Sequence, residues 1–516
     1  MPFPRINLPE NLHFHLLSFL SFIIFLVFLY KWLFFARKHE LPLPPSPPKL
    51  PIIGHLHQLG KFPHRSLRSL SNKYGELMLL HLGNKPTLVV SSATAAEEIM
   101  KTHDLIFANR PKLRFINRIF YDGNDIGFSS YREKWRRLKR ICIMHLLSNK
   151  RVQSFQTIRK EIVDQVVEKI ESYDGSVFNL SEALITFSKG LICRTALGSK
   201  YSGGDDDSGR GTEFYQLFKL LVEVMGAVSL GDYIPYLGWI DRLTGLEHRV
   251  EIVRKKLDAF IEEVLEEHTI RLNANCQKSQ NDVQDFVDVL LEVQEDNPEE
   301  ISRESIKGIL LDMFVAGTET SSTTLEWAIT ELIRHPKIMK KLQEEVRNNV
   351  KYSTSVAEDD LGNMKYLKAV IKETLRLHPP APLLVFRESS EDVKIDKYGI
   401  AKRTQVIINA WTIQRDPTFW QNPENFSPDR FLNDSSSVDY KGQHFQFIPF
   451  GAGRRMCPGV SYGIVTTEFL LASLVYRFNW TLPNGRKGET LDMEESAGIT
   501  VGRRNPLMVI ATPFDT

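Results

Sequence analysis

Residues 450–459 read Phe-Gly-Ala-Gly-Arg-Arg-Met-Cys-Pro-Gly, and their types place one sulfur in a chemically active setting. Glycines at 451, 453 and 459 let the backbone approach a flat ligand closely, and the turn they form exposes N–H groups toward Cys457. Pro458, at a first-turn position ahead of the helical run from Ile464, adds the positive end of a helix. Donors of both kinds favour the thiolate, the form that binds metal, and a haem iron is its natural use. An isolated cysteine is otherwise a small buried hydrophobe. The overlapping Gly459-Val460-Ser461-Tyr462-Gly463 also fits a hydrolase nucleophile elbow, but that motif needs a strand running into it, and Met456, Cys457 and Pro458 stand there instead.

Three further constellations carry chemistry. A helix is expected over 302–334, with Ile306, Ile309, Leu310, Met313, Phe314, Leu325, Ala328 and Ile329 at core spacing. Its middle, Ala316-Gly317-Thr318-Glu319-Thr320-Ser321, puts an acid and hydroxyls where a buried helix should be apolar, and back-bonding hydroxyls or a bulge would open the helix there. The trailing Ser322, Thr323 and Thr324 read as a solvent face. Glu373 and Arg376 share a helix face ahead of Pro379 and Pro380, which alone is an ordinary exposed pair. Trp135 and Lys139, four apart, share another, while Arg136, Arg137 and Arg140 turn elsewhere and either dock an acidic partner or are simply solvated.

Together these segments resemble the haem-thiolate monooxygenases, the cytochrome P-450 family, and within it the plant microsomal A-type group. The resemblance implies haem b held by an axial cysteinate from Cys457, with Phe450 and Gly459 in the loop around it. It implies Trp135, Lys139, Arg387 and Arg455 as partners of the haem propionates, although Lys139 stands where the family commonly has Arg. It makes Thr320 and Glu319 the catalytic pair, Thr320 bonding dioxygen and Glu319 relaying protons. Glu373, Arg376 and Arg430 become a buried structural network. Residues 110–128, 214–236, 315–316, 383–385 and 498–500 become the pocket lining.

The implied reaction takes two electrons from NADPH through a membrane-bound flavoprotein reductase, splits O2, and hydroxylates or otherwise oxidises a small lipophilic plant specialised metabolite of the terpenoid, phenolic, coumarin or oxime class. An O2-independent haem-thiolate isomerase or dehydratase is the same-fold alternative, and a serine hydrolase built on Gly459, Ser461 and Gly463 a distant one. Retention of Thr320 argues against the isomerase.

The elements that must position these residues are mainly helical. Strand-like Leu77–Leu82, Thr87–Val90 and Thr404–Ile408 provide a minor β part, and most of 131–377 has helical spacing, as does 464–476. Residues 16–36 are apolar except for Ser18, Ser21 and one charge, Lys31, and span roughly 31 Å as helix. With Lys31, Arg37 and Lys38 at its C-terminal end and only Arg5, offset by Glu10, before it, this run reads as a single-pass anchor with the body in the cytosol, on the endoplasmic reticulum membrane. A cleaved signal peptide would need a small-residue cleavage site, which does not follow. The chain therefore divides into an anchor over 1–36, a basic, proline-rich hinge over 37–51 and a catalytic body over 52–516.

Composition bounds the rest. The 516 residues carry 65 Lys and Arg against 63 Asp and Glu, so a net charge of +2 offers no field for nucleic acid. Four scattered cysteines exclude a disulfide scaffold or a zinc cluster, and no Gly-x-Gly-x-x-Gly or P-loop implies a bound nucleotide.

Overall fold

The element on which the others assemble is a 32-residue helix, Arg303–Arg334, capped by the Ser302 hydroxyl, which accepts the Ser305 N–H. Its apolar residues point in nearly every direction, so it can be buried only by being surrounded. In a computed structural model describing residues 10–34, 41–201, 210–274, 283–350, 354–432 and 438–514, this central helix packs along the helices Leu180–Leu197, Lys365–Leu377 and Val460–Arg477. The fold is mostly helical with a minor sheet part.

The central helix differs from expectation in two ways. It runs unbroken through residues 316–321, because the Thr318 and Thr320 hydroxyls fold back onto the Phe314 and Ala316 carbonyls at 2.8 and 2.5 Å without displacing the backbone bonds. Ser322, Thr323 and Thr324 are buried rather than solvated. Ser322 and Thr324 donate to carbonyls of the preceding turn, which satisfies their hydroxyls inside a helix–helix contact.

Among the described residues nine strands form three small sheets. In the largest, β1 (Leu77–Leu82) pairs antiparallel with β2 (Lys85–Val90), and β2 pairs parallel with β7 (Gln405–Ile408), which carries the short β4 (Arg387–Glu388) on its other side. The hairpin turn at Gly83-Asn84 requires glycine: φ is +58°, and a Cβ there would lie 2.3 Å from the Tyr233 carbonyl oxygen. β3 (Val177–Asn179), β9 (Met508–Pro513) and β8 (Phe478–Thr481) form the second sheet, and β5 (Val393–Ile395) with β6 (Tyr398–Ile400) a hairpin. Broken sheets of this kind, without alternating strands and helices, exclude a doubly wound hydrolase core.

The proline segment is docked rather than free. Pro44 and Pro47 are buried, and the Pro45 and Pro42 carbonyls accept from Leu79 and Gly399 at 2.9 Å. Ahead of it, Glu10–Phe34 is helical, with the apolar side chains of Leu16 through Phe28 exposed; Phe35, Ala36, Arg37 and Lys38 lie outside the described residues. Among the described residues no helix is long and apolar enough to cross a membrane, so the anchor does not emerge from the fold itself. Residues 202–209, and 275–282 with Cys276, also lie outside the described residues.

Glu373 and Arg376 are both fully buried and meet twice, at 2.7 and 2.8 Å. Arg430 reaches the same carboxylate at 3.0 Å, the Ser427 N–H at 2.8 Å, and Arg376 also donates to the Gln414, Pro423 and Asn425 carbonyls. One helix thereby holds the irregular 414–430 segment in place. Removing the single anion strands two cations in a low dielectric, so Glu373→Ala should lower the free energy of unfolding by about 3–5 kcal/mol. Urea titration measures this, and a loss below about 1 kcal/mol, the range of an exposed pair, would contradict a structural role.

Candidate functional site

The loop before the helix Val460–Arg477 is built around its backbone. Gly453 has φ +68°, and a Cβ there would stand 2.2 Å from the Met100 carbonyl oxygen, so only glycine closes the turn. The Cys457 N–H returns to the Phe450 carbonyl at 3.0 Å, and Gly459 caps the following helix. Gly459 lies against the sulfur, since a Cβ there would stand 3.9 Å from Cys457 Sγ. Burial pushes the Cys457 thiol up, while the Gly459 N–H and the Lys139 charge favour the thiolate. Cys457, Pro458, Gly459 and Val460 nevertheless keep accessible area. Enclosed backbone with accessible area borders an interior space.

Around this loop stand four basic residues. Arg455 lies 4.1 Å over the Trp135 ring and donates to the carbonyls of Ala108 (2.7 Å), Ile126 (3.1 Å) and Ser129 (2.5 Å). The Trp135 indole shares the Ile126 carbonyl at 2.9 Å. Arg387 donates to the Ala452 carbonyl at 2.7 Å and pairs with Asp104 at 3.3 Å, while Asp104 also accepts the Arg454 N–H at 2.9 Å. Arg110, absent from the expected set, donates to Gly127, Val385 and Phe386 carbonyls at 2.9, 2.6 and 2.8 Å. Lys139 grips the cysteine loop through the Arg454 and Met456 carbonyls. Trp135, Lys139, Arg387, Phe450, Arg455, Cys457 and Gly459 are thus brought together.

Burial pushes these cations down, Lys139 to about 8 and Arg455 to about 9, with Arg110 and Arg387 lowered as well. Mutual repulsion adds to it: Arg455 feels Arg387, Lys139 feels Arg455, and Arg110 feels both arginines. The acids nearby do not balance them. Burial raises Asp125 to about 6, and raises Asp312 well above its ordinary range with the Asp125 charge adding to it, so of the two Asp125 is the anion at neutral pH and the cations still outnumber the acids. A site with this surplus fits a ligand that brings its own negative charge.

The facing wall is the central helix. Gly308, Asp312, Ala316 and Thr320 recur every four residues and so form one stripe. Its first half is covered: a Cβ at Gly308 would meet the Asn124 carbonyl oxygen at 2.2 Å, and Asp312 accepts the Ile126 N–H at 2.7 Å. Its second half keeps accessible area at Ala316 and Thr320. Leu384 lies against Gly451 on the loop side, and Val385 and Ile499 are exposed apolar residues, 43% and 56% accessible. Ile126 ties this stripe to the basic residues, its N–H on Asp312 and its carbonyl on Arg455 and Trp135, and the residue types, a thiol, buried cations and apolar side chains, suit a flat group with an anionic edge such as a haem with its propionates.

Thr320 bonds its own helix rather than the cysteine loop. Burial raises the Glu319 carboxyl, while the Thr500 hydroxyl and the Lys189 charge oppose that. Gly317 faces the helix Leu180–Leu197, where a Cβ would stand 3.1 Å from Ile192 Cδ1. Ser461 is exposed on the first turn of its helix with no strand entering it, so the nucleophile elbow is absent. Asp312 carried a signal that sequence reading missed: an acid three residues after Ile309 sits inside an apolar stripe. Arg110 carried none, because its partners Val385 and Phe386 are about 275 positions away.

The family model described as cytochrome P450 matches residues 44–509. The chain is 50% identical over 483 residues to cytochrome P450 71A2 of Solanum melongena, covering 93% of this chain and 94% of that one. It is 47% identical over 502 residues to a psoralen synthase of Ammi majus, with 96% and 98% covered. A zebra fish cytochrome P450 solved with progesterone superposes with a TM-score of 0.73 at 27% identity, over 88% of this chain and 99% of that one.

Because the Asp125 carboxyl holds its proton to a higher pH in the folded chain than when unfolded, the native state binds more protons between roughly pH 4 and 6, and stability from this group is lost as pH rises through that window. Asp125→Asn should therefore raise the unfolding temperature at pH 7.5 and leave it nearly unchanged at pH 4. Thermal melts at the two pH values decide it, and stabilisation confined to the acid side would reverse the sign.

Proposed function

The chain belongs to the cytochrome P450 family and is a monooxygenase-type oxidoreductase with a cysteine-ligated haem; from this premise we propose that it oxidises a small lipophilic plant specialised metabolite with O2 and electrons from an NADPH-dependent flavoprotein reductase. The observation that carries the reading is Cys457, with Gly459 against its sulfur, beside buried arginines that lack matching anions.

In this reading Cys457 would ligate the haem iron, with the Gly459 N–H favouring its thiolate. Arg387, Arg455 and Arg110 would hold the propionates, each retaining N–H groups beyond those on backbone carbonyls. Trp135 packs on Arg455, and Lys139 ties the loop through the Arg454 and Met456 carbonyls. When bound, haem supplies the redox chemistry that activates O2. Thr320, whose hydroxyl bonds the Ala316 carbonyl, and Glu319, whose carboxyl burial raises, would hold and pass protons. The apolar Val385, Leu384 and Ile499 select a lipophilic guest.

The same proposal assigns residues 1–36 to a membrane anchor, 37–51 to a hinge and 52–516 to the catalytic body on the cytosolic face of the endoplasmic reticulum. An exposed apolar tip supports it: Val228, Tyr236, Trp239 and Leu243 are 59–75% accessible. The β1–β2 turn joins this tip to the hinge, since the Gly83 N–H donates to Ile53 and the Asn84 N–H to Tyr233. Leu50 and Ile52 are exposed there as well, so tip, hinge and anchor would meet one lipid surface. Arg136 and Arg454, exposed near Lys139, would receive an acidic electron donor, whereas Arg140 is paired with Glu300 at 2.8 Å.

Cys457→Ala should abolish the thiolate-type Soret band of the reduced carbon monoxide complex; a persisting band would refute the ligand assignment. Thr320→Val should lower product formation on the order of tenfold or more while NADPH consumption continues and hydrogen peroxide accumulates. Turnover that proceeds without O2 and NADPH would favour an isomerase instead.

A further inference from the structure

Residues 125–129 form a short strap between the central helix and the buried arginines, and its backbone is gripped from both sides. Carboxyls take it by N–H groups: Ile126 donates to Asp312 Oδ2 at 2.7 Å and Phe128 to Asp125 Oδ2 at 2.5 Å. Guanidiniums take it by carbonyls: Ile126 accepts from Arg455 at 3.1 Å, Ser129 from Arg455 at 2.5 Å and Gly127 from Arg110 at 2.9 Å. The Trp135 indole shares the Ile126 carbonyl at 2.9 Å, and the Ser129 hydroxyl closes the strap on the Asp125 carbonyl at 2.5 Å. Asp125, Asp312, Arg110 and Arg455 are all buried.

Within this arrangement Asp312 is the group that comes from the central helix. Asn124, just ahead of the strap, is seated on the same helix: its side-chain oxygen accepts the Ser305 hydroxyl at 3.0 Å, and its carbonyl fills the space that a Cβ at Gly308 would need. One turn on, the missing side chain of Gly127 makes room for the carboxyl, since a Cβ there would stand 2.8 Å from Asp312 Oδ1. A buried N–H deprived of its acceptor is costly, so without Asp312 the Ile126 peptide would turn to find another partner. Its carbonyl would turn with it. The strap supplies two of the three carbonyls on which Arg455 rests and one of the three on which Arg110 rests, so Arg455 has the more to lose.

We propose that Asp312 is a positioning residue for the cofactor: by holding the Ile126 N–H from the central helix it fixes the 125–129 strap, and through the strap the direction in which Arg455, and to a lesser degree Arg110, present their free N–H groups to the anionic edge of a haem. The proposal rests on the reading of these arginines as propionate partners. It gives the central helix a second duty, orienting the haem's edge as well as lining the space at Thr320.

The test uses the full-length haem-loaded protein and compares Asp312→Leu, Asp312→Asn, Arg455→Gln and the Asp312→Leu/Arg455→Gln double variant. Two quantities are read: the rate of haem transfer to excess apomyoglobin, and the propionate bending bands in the resonance Raman spectrum, which report hydrogen bonding at the haem's edge. Asp312→Leu should release haem several-fold faster and shift the propionate bands toward weaker hydrogen bonding. Asp312→Asn keeps an oxygen for the Ile126 N–H and should restore most of both. In the Arg455→Gln background, Asp312→Leu should add less than it does alone. Should Asp312→Leu load no haem, Asp312→Ser, too short to reach the strap, takes its place. Unmoved propionate bands, an additive double variant, or Asp312→Asn as impaired as Asp312→Leu would each overturn the positioning role. If Arg455→Gln itself leaves haem release and the propionate bands at wild-type values, the propionate reading fails, and the proposal with it; if Arg455→Gln acts and Asp312→Leu does not, the proposal alone falls.

Discussion

Positive charge is buried here without enough negative charge to meet it. Arg110, Arg387 and Arg455 are almost wholly enclosed, and Lys139 is partly so. Asp104 is the one acid of the group that pairs directly with them, at 3.3 Å from Arg387. Isolated buried cations cost several kcal/mol each, so the chain tolerates them by turning backbone carbonyls inward. The loops 108–129, 385–386 and 452–456 are irregular for this reason: a regular strand or helix would have spent those carbonyls on itself. What remains unbalanced is a net positive wall, and an anionic group bound beside it stabilises the loops as well as itself.

The central helix answers the same demand from the opposite side. Its stripe of Gly308, Asp312, Ala316 and Thr320 begins by binding loop 124–128 and ends by leaving room. Glycine at 308 admits the Asn124 backbone, and Asp312 takes the Ile126 N–H whose carbonyl serves both Trp135 and Arg455. One residue, Ile126, therefore links the helix to the arginine wall through its N–H and its carbonyl, and neither bond can be released without leaving a buried partner unmatched.

The residues legible in the sequence were those whose meaning is local. The decapeptide around Cys457 is a turn whose glycines, sulfur and following helix are all within ten positions, and strand Leu77–Leu82 and the helix start at Ser302 were likewise written in neighbouring residues. Ser322–Thr324 misled because polarity is a local signal, whereas their burial is decided by the helices packed on them, and a hydroxyl bonded to its own carbonyl is cheap to bury. The proline segment was legible only as a proline-rich hinge, because its docking depends on Leu79 and Gly399, far along the chain. Arg110 was invisible for want of any local pattern.

Lys139 shows how the two kinds of information combine. An arginine there would offer a rigid fork to a propionate, so its replacement by lysine reads as a loss. The ammonium instead reaches the Arg454 and Met456 carbonyls and stays 5.2 Å from the Trp135 ring. A point charge on a flexible stem can satisfy two carbonyls of a tight turn that a planar guanidinium would have to straddle. Its favourable field at the Cys457 sulfur then adds to the Gly459 N–H, and the anion duty passes to Arg387, Arg455 and Arg110. Under the proposed reading the lysine would move a cation from the ligand's edge to the ligating loop, from holding the group toward tuning its sulfur.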